Sequence, residues 1–77
     1  MQLGTRWPVG EATPERLPDA VRLAVRAVEA EVAGIDTSQW RWTLTWLEGL
    51  PVVELDDGTV IRYDPQSDTA RIEPAEG

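Results

Sequence analysis

The chain contains no cysteine, histidine, lysine or phenylalanine, and these absences limit its chemistry. Without cysteine, neither a disulfide framework nor a thiolate metal site can reinforce a chain of 77 residues. Without histidine, cysteine or lysine, most general bases, thiol nucleophiles and Schiff-base chemistry are excluded. Catalysis by a pair of carboxylates needs a cleft ~5–10 Å wide, for which so small a domain has little room. We therefore expect a protein that is not an enzyme and that uses no cofactor or metal.

Positive charge is also scarce, with 7 arginines against 14 acidic residues and a net charge of −7. This excess of acid argues against direct binding to nucleic-acid phosphates or to an anionic membrane. No apolar run approaches the ~20 residues of a spanning helix, and no basic stretch precedes an apolar segment at the N-terminus. We expect a cytoplasmic protein. The use of arginine without lysine, beside abundant alanine, valine, proline and glycine, suggests a GC-rich genome of bacterial or phage origin.

Three of the four tryptophans lie in one short segment and alternate with polar residues. Because successive strand side chains point to opposite sides, Trp40, Trp42, Leu44 and Trp46 share one face of a predicted strand. Each indole can bury roughly 150–250 Å², which a core with only ~3–5 kcal/mol of net stability needs. Stacking of sugars or single-stranded bases on these indoles is the alternative. A buried core is favoured, since no other face is as apolar.

A single amphipathic helix is predicted before this strand. The start signal Thr13-Pro14-Glu15 is complicated by Pro18, so either 14–17 form a separate turn or the helix begins near Pro18, which is slightly favoured. Apolar positions recur at helical spacing: Val21, Ala24, Val25, Val28 and Val32. The solvent face is marked by Arg22, Arg26 and Glu29. Gly34 is predicted as a left-handed C-cap, with Ile35 folding back over the last turn.

The rest of the chain predicts an antiparallel meander of four strands at about 39–47, 52–56, 59–64 and 69–73. A four-residue loop over 48–51 would pair Trp46 with Val53. A three-residue loop with Gly58 left-handed would pair Val53 with Ile61. A four-residue loop over 65–68 would close the third hairpin. These choices place the apolar side chains of all four strands on one face, which the helix covers.

The predicted fold is therefore α+β, with one N-terminal helix on a four-stranded antiparallel sheet in the order α-β-β-β-β. Residues 1–13 form an irregular arm that lays Trp7 on the domain, and the sequence leaves open whether part of this arm is a short edge strand. Residues 14–73 form the single α+β domain, and 74–77 form a short tail.

Two acidic segments resemble cation sites but are better explained as turns. Asp56-Asp57-Gly58 supplies the left-handed backbone of a hairpin. The segment from Asp64 imitates a calcium loop but has Thr69 where glycine is required and no glutamate at its twelfth position.

The function is expected on the sheet face turned away from the helix. This face mixes charge with exposed aliphatics, and its predicted partner-binding residues are Arg41, Leu47, Val52, Val60, Arg62 and Arg71. It also sets Arg62 directly opposite Arg71, a mildly destabilising pair that Glu54 is expected to relieve. The competing interpretation is a solvated sheet face without a partner.

Two functions follow from these features. The first is a non-catalytic interaction module that binds a partner protein, or a second copy as a weak homodimer, through this face or an edge strand. The alternative is an acidic inhibitor that imitates nucleic-acid charge and occupies a basic site on a target protein. The negative electrostatic field of such an inhibitor would come from Asp19, Glu29, Glu31, Asp36, Asp56, Asp57, Asp64 and Asp68.

Overall fold

The structure, a computed structural model, describes residues 4–75 and confirms the α+β class. One helix, α1 (Asp19–Glu31), packs on a five-stranded antiparallel sheet whose strands lie in chain order. The strands are β1 (Thr5–Pro8), β2 (Arg41–Leu47), β3 (Leu50–Leu55), β4 (Val60–Asp64) and β5 (Thr69–Glu73). The first three residues of the predicted arm and the last two of the predicted tail lie outside the described residues.

Part of the N-terminal arm, Thr5–Pro8, forms the edge strand β1, a possibility that the sequence left open, and this raises the strand count from four to five. It pairs with β2 and sets Trp7 opposite Trp42. The two indoles stack with ring centroids 6.5 Å apart, and Trp7 is buried. Burial of this large side chain gives the short strand a reason to dock that hydrophobic periodicity over four residues could not show.

The helix begins as predicted after Pro18, and 14–17 also form the separate turn. Pro18 is the N-cap, where its missing N–H costs no helical hydrogen bond. In the turn, the Leu17 N–H donates to the Pro14 carbonyl at 3.3 Å, and the Leu17 side chain is buried against the core. Both alternatives for this segment are therefore realised together.

The predicted end of the helix is wrong. The helix stops at Glu31 with Val32 as the C-cap, and Gly34 is not among the glycines with positive φ. Ile35 does not fold back and is 54% exposed. The chain leaves the helix through tightened turns, with the N–H of Ala33 on the Ala30 carbonyl and that of Ile35 on the Val32 carbonyl. Such i→i+3 bonds satisfy terminal carbonyls without a left-handed residue.

The core lies between α1 and the apolar face of the sheet. Its buried side chains are Trp7, Leu17, Val21, Ala24, Val25, Val28, Trp42, Leu44, Val53, Leu55 and Ile61. The helix backbone comes closest to β4 and β5. On the side of β1 and β2 the stacked indoles of Trp7 and Trp42 occupy more space, which holds the helix backbone further away. The apolar face predicted from alternation is thus the buried one.

The first hairpin has a two-residue turn in place of the predicted four-residue loop. Leu47 pairs with Leu50 and Trp46 with Pro51, so the predicted pairing of Trp46 with Val53 is wrong by two residues. Glu48 and Gly49 have φ of 53° and 80°, the positive values that a type I′ turn requires. Because side chains alternate with period two, a slip of two leaves every side chain on its predicted face.

The second hairpin has the predicted register, with Val53 opposite Ile61 and Gly58 at φ 102°.

We expect Gly58→Val to lower the free energy of unfolding by about 1–2 kcal/mol, because this backbone region is strained for a residue with a Cβ. A Cβ would also lie 3.3 Å from the Ala75 Cβ. Urea denaturation measures the change. Gly34→Val is the matched control, since Gly34 lacks a positive φ and a Cβ there meets nothing within 4 Å. Equal losses in the two variants would contradict the turn geometry.

Candidate functional site

The candidate site is the sheet face that α1 does not cover, hereafter the open face. It carries Arg6, Arg41, Thr43, Thr45, Leu47, Leu50, Val52, Glu54, Val60, Arg62, Asp64, Thr69, Arg71 and Glu73. All six residues predicted from the sequence lie on it. Leu47 is 58% exposed and Val52 and Val60 are half-buried. Solvent therefore reaches an apolar surface that no described part of the chain covers.

The structure gathers only part of the predicted set. Leu47, Val52 and Arg62 line one cleft at the end of the β2–β3 hairpin, and Arg71 is the cross-strand partner of Arg62. Arg41 lies at the opposite end of β2, where its backbone N–H donates to the Asp56 carboxylate at 3.0 Å. Val60 is two residues along β4 from Arg62. The concentrated part of the site is therefore the end of the open face near the first hairpin.

We call this depression the hairpin-tip cleft. It has a volume of about 160 Å³ and is lined by Leu47, Glu48, Leu50, Pro51, Val52, Arg62 and Tyr63. Four of these, Glu48, Leu50, Pro51 and Tyr63, were not among the residues predicted from the sequence. The lining is mostly apolar, with one basic residue, Arg62, and one acidic residue, Glu48.

Pro51 explains why the cleft exists. In a two-residue hairpin, Leu47 and Leu50 form the hydrogen-bonded pair, so the main-chain nitrogen of Pro51 points away from β2 and toward β4. Proline has no N–H to donate there. The β3–β4 ladder accordingly stops at the pair Val52–Arg62, although β3 continues to Leu50. The gap beyond that pair is the cleft.

Tyr63 borders the cleft from β4 and is fixed by a hydrogen bond. Its hydroxyl donates to a carboxylate oxygen of Asp68 at 2.7 Å. That hydrogen bond, with smaller contributions from desolvation and from the charges of Asp68 and Asp64, raises the pKa of Tyr63 above its ordinary value. The phenol therefore stays neutral at physiological pH, and its ring packs against the core beside the cleft.

The arginine pair predicted from the sequence is present, but Glu54 does not relieve it. Arg62 and Arg71 are direct cross-strand partners. The carboxylate that meets Arg62 is Glu73, whose Oε1 accepts from the Arg62 Nε at 3.2 Å. Within residues 4–75, Arg71 forms no ion pair. The open face thus holds a cationic pair that is only partly neutralised.

Because like charges directly across a strand pair are destabilising, removing one should stabilise the fold. We expect Arg71→Glu to raise the free energy of unfolding by about 0.5 kcal/mol, since the new carboxylate faces Arg62. Arg71→Gln, which removes the repulsion without adding an attraction, should give a smaller gain. Urea denaturation at low salt measures both. A loss of stability in both variants would show that Arg71 stabilises the fold through contacts other than this pair.

Charge on the open face is balanced although the chain carries −7. Its four arginines are Arg6, Arg41, Arg62 and Arg71. They are matched by Glu54, Asp64, Glu73 and, at the border, Asp56, which accepts from the Arg6 guanidinium at 3.1 Å. The excess negative charge therefore lies on the rest of the molecule. The open face itself is therefore electrically balanced and not uniformly anionic.

A second cleft, on the helix side of the same hairpin, has a volume of about 490 Å³ and is lined by Arg16, Trp46, Glu48 and Gly49. It corrects one expectation about the tryptophans. Trp42 is fully buried, whereas Trp46, expected under the helix as well, is only half-buried and borders this open cleft. The cleft has few apolar walls besides the one indole.

The described residues offer little other chemistry. No group of three or more acidic side chains within residues 4–75 could hold a metal ion. The helix is too short to cross a membrane, and none longer occurs in that part of the chain. Asp36, whose pKa is lowered by hydrogen bonds from Ser38, is an exposed loop carboxylate.

Comparison with known proteins finds no matching family model, no significantly similar curated protein and no significantly similar solved structure.

Proposed function

We propose that this chain is a small non-catalytic interaction module that binds a partner protein through the open face. The observation that carries the proposal is the Arg62–Arg71 pair beside exposed aliphatic side chains. A sequence optimised for stability alone would place opposite charges at directly facing strand positions. Residues kept at a cost in stability are typical of binding sites. A partner's carboxylates would turn this repulsion into attraction.

The aliphatic part of the face supports the same function. Leu47 and Leu50 are the exposed pair that closes the hairpin, and Val52 follows on the same side. An apolar centre with a charged rim is the usual anatomy of a modest protein interface. A chain whose own core is small also gains stability by mass action from a partner that binds only its folded state. A weak homodimer through the same face is the variant of this function in which the partner is a second copy.

The alternative, an acidic inhibitor that imitates nucleic-acid charge, has less support. Six of the eight carboxylates named for it have structural explanations, because they accept hydrogen bonds within the chain: Glu29, Asp36, Asp56, Asp57, Asp64 and Asp68. Most of these bonds shape turns or tie strands together. Ionic strength separates the two functions, since a charge mimic loses most of its affinity in high salt and an apolar interface keeps most of it.

The test compares variants of the open face with a control on the other side. Val52→Glu places a carboxylate opposite Arg62, and Val60→Arg places a guanidinium opposite Glu54 and Glu73, so both should fold. Arg16→Glu lies on the helix-side cleft. Each tagged protein captures partners from the native host, with quantitative mass spectrometry, and its self-association is followed by sedimentation velocity.

We expect one partner, or the dimer, to be lost from Val52→Glu and Val60→Arg and retained by Arg16→Glu. Circular dichroism and thermal melting confirm that each variant is folded. If the parent is monomeric at every concentration, and all variants recover the same proteins in the same amounts, the open face is only solvated sheet and the proposal is wrong.

A further inference from the structure

We infer that the hairpin-tip cleft accepts an acidic segment of the partner polypeptide, with one apolar side chain in the cleft and its carboxylates on Arg62 and Arg71. This inference rests on the proposed function and adds the chemistry of the partner.

The size of the cleft fits a single side chain. Its volume of about 160 Å³ is well below the roughly 300–1,000 Å³ of sites for drug-sized ligands. An apolar cavity of about 150 Å³ holds a molecule the size of benzene. Four of its seven lining residues, Leu47, Leu50, Pro51 and Val52, are apolar, which favours an aliphatic or aromatic group over a polar one.

The charges beside the cleft favour an acid next to that group. Arg62 lines the cleft together with Glu48 of the hairpin turn, and Arg71 lies directly across from Arg62 on β5, on the side of the cleft away from that turn. Glu73 meets Arg62 at Nε, which leaves the terminal amino groups of the guanidinium for another acceptor. Two guanidinium groups side by side match carboxylates on neighbouring residues of a polypeptide, because each can bind one in a bidentate fashion.

The main chain at the cleft wall favours a polypeptide over a free acid. By the alternation of the antiparallel ladder, the Tyr63 carbonyl points toward β3 in the same way as that of Ile61. The residue facing it is Pro51, which has no N–H to donate. A backbone N–H of the bound segment can supply that donor. The cleft thus provides an apolar surface, a main-chain acceptor and the Arg62 guanidinium, with Arg71 as the neighbouring cation across the strand pair.

The experiment uses the full chain, labelled with ¹⁵N, and three acetylated peptide amides as probes. The first is Gly-Leu-Glu-Glu-Gly, the second has glutamine in place of both glutamates, and the third has alanine in place of leucine. Amide shifts during titration give the dissociation constants and locate the site. Arg71→Glu is the test variant, and Arg16→Glu is the matched control, because both change the net charge equally while Arg16 lies on the helix-side cleft.

We expect the first peptide to shift the amides of Val52, Arg62, Tyr63 and Arg71. It should bind roughly fivefold more tightly than the glutamine peptide, as two surface ion pairs allow. The alanine peptide should bind more weakly than the leucine peptide. Arg71→Glu should abolish the preference for glutamate, and Arg16→Glu should preserve it.

Three results would overturn the inference: equal binding of the glutamate and glutamine peptides, shifts centred elsewhere, or no shifts up to the solubility limit of the peptides. An equal loss of the preference in Arg16→Glu would also overturn it, because the effect would then come from total charge. If any of these occurs while Val52→Glu still loses the captured partner, the proposed function survives and only this choice of ligand fails.

Discussion

Trp42→Ala should remove most of the stability of the fold. We expect a loss of about 3–5 kcal/mol, which matches the ~3–5 kcal/mol of net stability available to a domain of this size. Trp42 is fully buried, stacks on Trp7 and donates its indole N–H to Glu29 at 3.0 Å. The substitution therefore opens a large cavity and removes the indole on which Trp7 of β1 stacks. Far-ultraviolet circular dichroism with urea denaturation measures the loss.

Trp46→Ala is the internal control for this prediction. Trp46 belongs to the same strand but is half-buried beside the helix-side cleft, so we expect a loss of only about 1–2 kcal/mol. Equal losses in the two variants would contradict the burial seen here. If Trp42→Ala instead keeps its melting temperature while partner binding disappears, the indoles form a binding platform and not the core.

Hydrophobic alternation was enough to predict which way the sheet faces. Trp42 and Leu44 on β2, Val53 on β3 and Ile61 on β4 all point to the helix as their spacing required. This prediction survived an error in the first hairpin, because a register shift of two residues returns every side chain to the same side. The six positions expected to bind a partner likewise lie on the sheet face away from the helix, while their role stays a prediction.

The first hairpin could not be predicted from local preferences. A type I′ turn favours asparagine, aspartate or glycine at its first central position, and Glu48 is none of these. Pro51 then suggested a loop, because proline inside a strand removes a ladder hydrogen bond. In the fold, the nitrogen of Pro51 points into the gap where the β3–β4 ladder has already ended. The hairpin-tip cleft was missed for the same reason, since it depends on where that ladder stops.

Sequence periodicity also could not predict the contacts between distant parts of the chain. Glu29 was placed on the solvent face of the helix because it follows Arg22 and Arg26 at helical spacing. Its side chain is only 11% exposed and contacts the sheet. The edge strand β1 depends in the same way on Trp7 meeting Trp42, a partner 35 residues further along the chain. Helical and strand periods report local faces, and they carry no information on such pairs.

Glu29 joins three parts of the fold, and its removal is the second large effect that we expect. Its Oε2 accepts from the Trp42 indole N–H at 3.0 Å and from the Gly10 main-chain N–H at 2.9 Å. Its Oε1 accepts from the Arg26 guanidinium at 2.7 Å. The carboxylate therefore ties the loop after β1 and the central indole to the helix. Trp42 is fully buried, and the Glu29 carboxylate is the one acceptor that its indole N–H has within residues 4–75.

Glu29→Ala should lower the free energy of unfolding by about 2–3 kcal/mol, since a buried donor left unsatisfied costs about 1–3 kcal/mol and the hydrogen bond to Gly10 is lost as well. Glu29→Gln is the matched control. Its amide oxygen can replace Oε2 for both Trp42 and Gly10, and only the ion pair to the half-exposed Arg26 is removed, so the cost should stay below about 1 kcal/mol. Urea denaturation gives both values, and exchange of the Trp42 indole proton should accelerate in the alanine variant alone. Equal losses in the two variants would mean that the charge of Glu29, and not its acceptor position, stabilises the fold.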